Sequence, residues 1–221
     1  VVLMVLFAMM MGLFLVNVQF LQAVLGYSAI KASLSLMPLA VVMMPLSTVA
    51  PTIAHKIGYR RTVVTGMLTL AAGLALLALL ADADRGYLSI LPGLLLIGAG
   101  VGLAMSPSTT AITSSLTEDK QGVASALNDT VREIGAAMGL ALIGSVLSSQ
   151  FRTNITDLAN TYPPETATRI KEGIGGALST AAQLGPDGQP LVTAARNAYV
   201  DGMKPALLIA AGLAIAAAEA A

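Results

Sequence analysis

VVLMVLFAMMMGLFLVNVQFLQAVLGYSAI, residues 1–30, contains no Asp, Glu, Lys or Arg. About 20 residues of helix cross the hydrocarbon core of a bilayer, so this stretch is long enough to span one. The same absence of charge recurs at 32–55, 62–81 and 86–117. A water-soluble fold would have to bury four successive helices on every side, which soluble helices with one polar face do not do. Of the 221 residues, 56% are hydrophobic and 11% charged, against about 25% charged in ordinary soluble domains. The expected fold is an all-α polytopic membrane protein.

Working outward from that stretch, the first span lies within 1–26 and the turn GYSAIKAS at 26–33 ends it. The second, about 34–54, holds Pro38, Pro45 and Pro51, and is expected to bend. HKIGYRR, 55–61, leads to the third span at 62–81, and DADRGY, 82–87, to the fourth at about 89–111. A loop with Glu118, Asp119 and Lys120 precedes the fifth at about 122–149. Thereafter Thr, Pro, Asp, Asn and Gly become frequent. Residues 1–150 are thus read as five transmembrane helices, 151–202 as a long extracytoplasmic loop with short amphipathic helices, and 203–221 as a final span. The apolar start, with neither a charged n-region nor a cleavage site, reads as the interior of a longer polypeptide.

Several function classes are disfavoured. The 12 basic and 12 acidic residues balance, with no basic block for nucleic acid. Cysteine is absent and His55 is the single histidine, so neither thiolate chemistry nor a histidine-rich metal site is expected. No nucleophile–base–orienter set is visible, and the chain is read as a non-enzyme without a cofactor. Lys56, Arg60, Arg61 and Lys120 lie in loops on one side and Lys31 and Arg85 on the other. That four-to-two excess places 55–61 and 112–121 in the cytoplasm.

Polar residues inside the apolar spans are the candidate functional groups. Asn17, Gln22, Ser106 and Thr109 either line a substrate path or hydrogen-bond neighbouring helices together. Lys56, Gly58, Arg60 and Arg61 form either an ordinary basic loop or a gate-stabilising charge relay. Asp129, Arg132 and Glu133 sit at spacings of three and four, so that Asp129 and Arg132 can meet on one helical face. They mark a helix mouth at the headgroups, or a gating or substrate-facing pair. Gly98, Gly100 and Gly102 lie inside a hydrophobic helix, which excludes a dinucleotide loop and points to helix packing. Gly135 and Gly139 have the spacing that lets helices approach closely.

Four stretches in order carry a family resemblance: LVNVQFLQAVLGYSAIKASLSLMPLA (15–40), APTIAHKIGYRR (50–61), GLLLIGAGVGLAMSPSTTA (93–111) and GVASALNDTVREIGAAMGLALIG (122–144). Together they resemble the C-terminal part of a major facilitator superfamily transporter, in its fourteen-helix drug/proton antiporter group, from about the ninth helix onward. Gly58, Arg60 and Arg61 match the second-half copy of that family's cytoplasmic loop motif, with His55 where an aspartate is often found. The resemblance implies a six-helix C-terminal bundle and alternating access against an N-terminal half. It also implies export of small hydrophobic or cationic compounds in exchange for protons, in a bacterial inner or plasma membrane. Export of a metabolite such as an amino acid or sugar, and a non-transport membrane scaffold, are the alternatives.

Overall fold

The computed structural model describes residues 1–113, 117 and 120–220. Glu118 and Asp119, expected in the loop before the fifth span, lie outside the described residues. The chain is an all-α polytopic membrane protein, with six segments among the described residues long and apolar enough to cross a membrane. In a bilayer the backbone has no water to bond, so helices that satisfy their own N–H and C=O groups are the natural result.

Helix α1, Val2–Gln19, runs into a π-helical turn at Phe20–Val24. Gly26 closes that turn with φ 69°, while the Tyr27 N–H donates to the Leu21 carbonyl at 2.9 Å. The Ser28 hydroxyl caps α2, Ala29–Ser35, by accepting from the Lys31 N–H at 3.3 Å. Then α3 covers Met37–Ile57 as one helix. Pro38 sits in its first turn, where no N–H is needed, so only Pro45 and Pro51 interrupt the backbone bonding. Gly58, at φ 99°, reverses the chain into α4, Tyr59–Leu80. A side chain there would meet open space, so the backbone angle alone calls for glycine.

Asp82 organises the turn that follows α4. The backbone N–H groups of Arg85 and Asp84 donate to its Oδ1 at 3.1 and 2.8 Å, holding its carboxyl below the usual carboxylate value. The next helix, α5, is Leu91–Thr113. The Tyr87 hydroxyl ahead of it donates to the Ser35 carbonyl at 2.7 Å, tying this turn to the end of α2.

Helices α6, Gln121–Ala159, and α9, Gln189–Glu219, are longer than the sequence reading placed them. Boundaries expected at 150 and 203 fall inside helix. At about 1.5 Å per residue, the 39 residues of α6 reach about 58 Å, well beyond a hydrocarbon core of about 30 Å. The reason lies in the packing. Leu147, Phe151, Ile155 and Ala159 are all buried at a spacing of four, so the inward stripe of α6 continues past the point where Arg152 and Asp157 lower the hydropathy. Leu191, Ala195, Ala198 and Tyr199 do the same for α9. Between them lie α7, Pro164–Lys171, and α8, Ile174–Leu184. Their buried Ile170, Ile174, Ala177 and Ala181 complete a small core with the two projecting ends. The stretch expected as a long loop with short amphipathic helices holds two short helices, α7 and α8, flanked by the extended ends of α6 and α9.

Within the apolar region, backbone meets backbone at glycine. Helix α5 sits between α3 and α4. A Cβ at Gly102 would lie 2.7 Å from the Met43 carbonyl, one at Gly93 would lie 2.7 Å from the Leu77 Cβ, and one at Gly98 would strike the Leu39 carbonyl. Helices α1 and α6 pair the same way, with Gly135 against Met4 and Gly139 against Ala8. Helix α9 contributes a buried alanine row, Ala206, Ala210, Ala214 and Ala217, and packs on α4 and α6.

Two outcomes are expected. Gly139→Ala forces α1 and α6 apart and lowers stability by about 1–3 kcal/mol, the usual cost of overpacking. Gly212→Ala, where nothing lies within 4 Å, is neutral. Thermal unfolding in detergent checks both, and equal behaviour of the two variants would contradict the packing. For Asp82, the depressed carboxyl favours the folded turn above its unfolded value of about 3.9. That contribution is lost as pH falls through the lower folded value. An NMR titration of the Asp82 carboxyl reads this directly, and a pKa at or above the ordinary one would contradict it.

Candidate functional site

Asn17 is the most buried of the polar candidates, with 1% of its surface exposed. It lies near the end of α1, where the helix gives way to the π-helical turn. Its Nδ2 donates to the Leu13 carbonyl one turn back at 2.9 Å, while Oδ1 has no hydrogen-bond partner among the described residues. Asn17 lines a cavity of about 190 Å³ between α1, α3 and α5. Leu13 and Met10 come from α1, Met43 and Leu39 from α3, and Leu94 and Ile97 from α5. Phe14, also on the lining, is 59% exposed and marks the open side. The cavity owes its position to the Gly98 and Gly102 contacts, which fix α5 against α3 just beside it.

The other path candidates do not join Asn17. Gln22 is exposed on the π-helical turn. Ser106 and Thr109 are half-buried on α5, and the Ser106 carbonyl accepts the Thr110 hydroxyl at 3.0 Å. Ser106 lies five residues beyond Val101, the last α5 residue of the lining, about one and a half turns along the helix. Gln19 instead lines a smaller cavity of about 150 Å³ with Glu172 and Tyr199, beneath α8. Gly98, Gly100 and Gly102 are buried against α3 and α4, and Gly135 and Gly139 against α1.

The basic turn is laid out on the surface. Lys56, Arg60 and Arg61 are exposed and form no salt bridge among the described residues. His55 meets Tyr59 edge to face, with ring centroids 5.6 Å apart. Arg60 lines a groove of about 640 Å³ with Ser108, Pro107, Leu127 and Val131, which joins the ends of α4, α5 and α6. Arg60 and Arg61 also line a second groove, with Glu219 of α9.

The acidic and basic residues of α6 part company. Asp129 and Arg132, placed on one face by their spacing, form no ion pair with each other or with another described residue. The half-buried Arg132 instead lays its guanidinium over the Phe7 ring, 4.3 Å from the centroid, where an aromatic face attracts a weakly hydrated cation. Asp129 is exposed and faces the Asn128 amide at 3.5 Å, and Glu133 is exposed. Sequence reasoning missed Phe7 in this role because its partner stands 125 residues away. It also missed Tyr199, fully buried on α9, whose hydroxyl donates to the Val16 carbonyl at 3.0 Å and so pins α9 beside Asn17's own turn. The visible signal was a tyrosine on the inward stripe of a helix that the hydropathy began at 203, four residues past Tyr199, although the helix starts at Gln189.

Comparison with known proteins identifies the family. The Major Facilitator Superfamily model matches residues 1–140. The chain is 34% identical over 201 residues to the multidrug efflux pump LfrA of Mycolicibacterium smegmatis, covering 90% of this chain and 40% of that protein. It is 30% identical over 220 residues to the tetracenomycin C resistance and export protein of Streptomyces glaucescens, covering 96% of this chain and 40% of the relative. It is 27% identical over 190 residues to the multidrug transporter MdtP of Bacillus subtilis, covering 82% and 35%. The chain therefore spans 35–40% of the length of these curated relatives.

Arg132→Met, which keeps the aliphatic stem and removes the cation over Phe7, is expected to lower stability by about 0.5–1 kcal/mol. Asp129→Asn is expected to stay within about 0.5 kcal/mol of the parent chain, as for exposed residues generally. Thermal unfolding of the two variants is the measurement. An Asp129 effect as large as that of Arg132 would restore the ion pair.

Proposed function

The chain belongs to the Major Facilitator Superfamily, a family of transporters, and from that premise we propose that it forms one helical bundle of a proton-coupled exporter of hydrophobic or cationic compounds in a bacterial cell membrane. The observation that carries this reading is the apolar cavity between α1, α3 and α5, with the Asn17 amide buried in its wall. A site of this kind holds a small apolar molecule by shape and burial and orients it with very few polar groups. The printed names of the relatives, a multidrug efflux pump and a tetracenomycin C export protein among them, support drug export over metabolite export.

Alternating access works by two bundles rocking about a central path. The partner proposed for this bundle is therefore a second one, the N-terminal half of the same transporter, with the lipid bilayer around both. Exposed apolar side chains on α3, among them Val41 and Met44, support contact with lipid or with such a partner. Asn17 is proposed as the substrate contact, with Gln22, Ser106 and Thr109 further along the path. Lys56, Gly58, Arg60 and Arg61 are proposed as the cytoplasmic gate, and Arg132 on Phe7 as its neighbour. The basic turn at Gly58 is read as cytoplasmic and α7–α8 as extracytoplasmic. The coupled ion is a proton from the transmembrane gradient, with no resident cofactor.

Grafting this chain in place of the matching segment of LfrA tests the proposal. In an efflux-deficient bacterium the graft is expected to keep ethidium out of energised cells, and a protonophore is expected to abolish that exclusion. A graft that reaches the membrane but leaves ethidium accumulation unchanged would refute drug export. Exclusion that survives the protonophore would refute proton coupling.

A further inference from the structure

Nine of the ten residues lining the α1–α3–α5 cavity are apolar, and Asn17 is the tenth. Its amide orientation follows from its neighbour. The group facing the Leu13 carbonyl at 2.9 Å must be the donor Nδ2, since two oxygens cannot bond each other. What remains is a carbonyl oxygen, buried and without a partner among the described residues. A buried unpaired acceptor is costly, and native structures seldom leave one unexplained. Water is a poor solution here, because a buried water needs two to four polar partners and the lining side chains offer one.

The chemistry of the lining also selects against charge. None of the ten lining side chains is acidic, so a permanent cation entering the cavity would lose its hydration with no counter-charge. A neutral molecule with one N–H or O–H donor loses little and satisfies the acceptor. Size agrees with this. An apolar cavity of about 150 Å³ holds a benzene, and this one, at about 190 Å³ with an open side at Phe14, takes a somewhat larger ring system.

We infer that the α1–α3–α5 cavity is a subsite for uncharged, compact aromatic compounds carrying a single hydrogen-bond donor, which is received by Asn17 Oδ1. This rests on the proposed export of apolar compounds and narrows it: for this subsite the hydrophobic class is the ligand, and the permanently cationic class is not.

Three probes of one shape separate the terms: 2-naphthol, neutral with a donor; 2-methoxynaphthalene, neutral without one; and trimethyl(2-naphthyl)ammonium, a cation without one. Binding of each radiolabelled probe is measured on the purified chain in lipid nanodiscs, with empty nanodiscs subtracted. In the unaltered chain naphthol is expected to bind about tenfold more tightly than the ether, the ratio one buried hydrogen bond provides, and the cation is expected to bind most weakly. Asn17→Leu brings naphthol down to the level of the ether. Met43→Phe, which narrows the cavity from α3, weakens both neutral probes alike. Equal binding of naphthol and the ether, or tightest binding of the cation, overturns the inference without any variant having to fold. A naphthol preference that survives Asn17→Leu overturns the role of Oδ1, and indifference to Met43→Phe overturns the location. The LfrA graft reports separately: ethidium efflux without a naphthol preference removes this subsite alone, whereas a naphthol preference without efflux removes the export reading alone.

Discussion

Everything in this bundle depends on how closely two helix backbones can approach. In an apolar solvent, burial of side chains gives no hydrophobic gain over lipid, so helices hold together by van der Waals contact at short range. Glycine permits that contact. Gly93 and Gly102 put α5 against α4 and α3 on opposite sides of one helix, and Gly135 and Gly139 bring α1 onto α6. The cavity beside Asn17 follows from the same constraint. Where backbones touch at Gly98 and Gly102, larger side chains such as Met43, Leu94 and Ile97 must be accommodated alongside, and the space between them stays open.

The polar groups divide by depth. Near the basic turn at Gly58, charges lie on exposed surface, and Arg132 settles on an aromatic face. Within the apolar region, Asn17 is neutral and bonded to its own helix. A neutral amide gives direction at modest desolvation cost, whereas a buried charge would need a partner. The arrangement keeps charge at the exposed helix ends and a neutral acceptor inside the apolar cavity.

Much of this was legible in the sequence, and the exceptions have physical causes. Four charge-free windows sufficed for the helical membrane fold, because the bilayer imposes length and apolarity on any crossing segment. Glycine spacing at 98–102 and 135–139 anticipated close packing. Helix ends were less legible: hydropathy falls at Arg152, yet Phe151, Ile155 and Ala159 still face inward. The spacing of four was present in the residues, but a window average discards phase. Asn17 stood out as a polar residue in an apolar run, whereas its isolation from Ser106 and Thr109 depends on how α1 and α5 align. Spacing along one helix put Asp129 with Arg132, and a residue of another helix, Phe7, took the guanidinium instead. Local periodicity states which partners are within reach, not which one is preferred.

The joining of α6 and α9 above the bundle bears on biogenesis. The small core around Phe151, Ile174 and Leu191 draws on both projecting ends, and Tyr199 reaches back 183 residues to Val16. A ribosome delivers α1 before α6 and α6 before α9, so α1 must wait in the lipid for α6, and the end of α6 must wait for α9. During that interval α7 and α8 have no completed core to join. Helix α9 thus completes both its side of the bundle and the small core shared with α6, α7 and α8, and a chain arrested before α9 would leave that core unfinished and open to proteolysis.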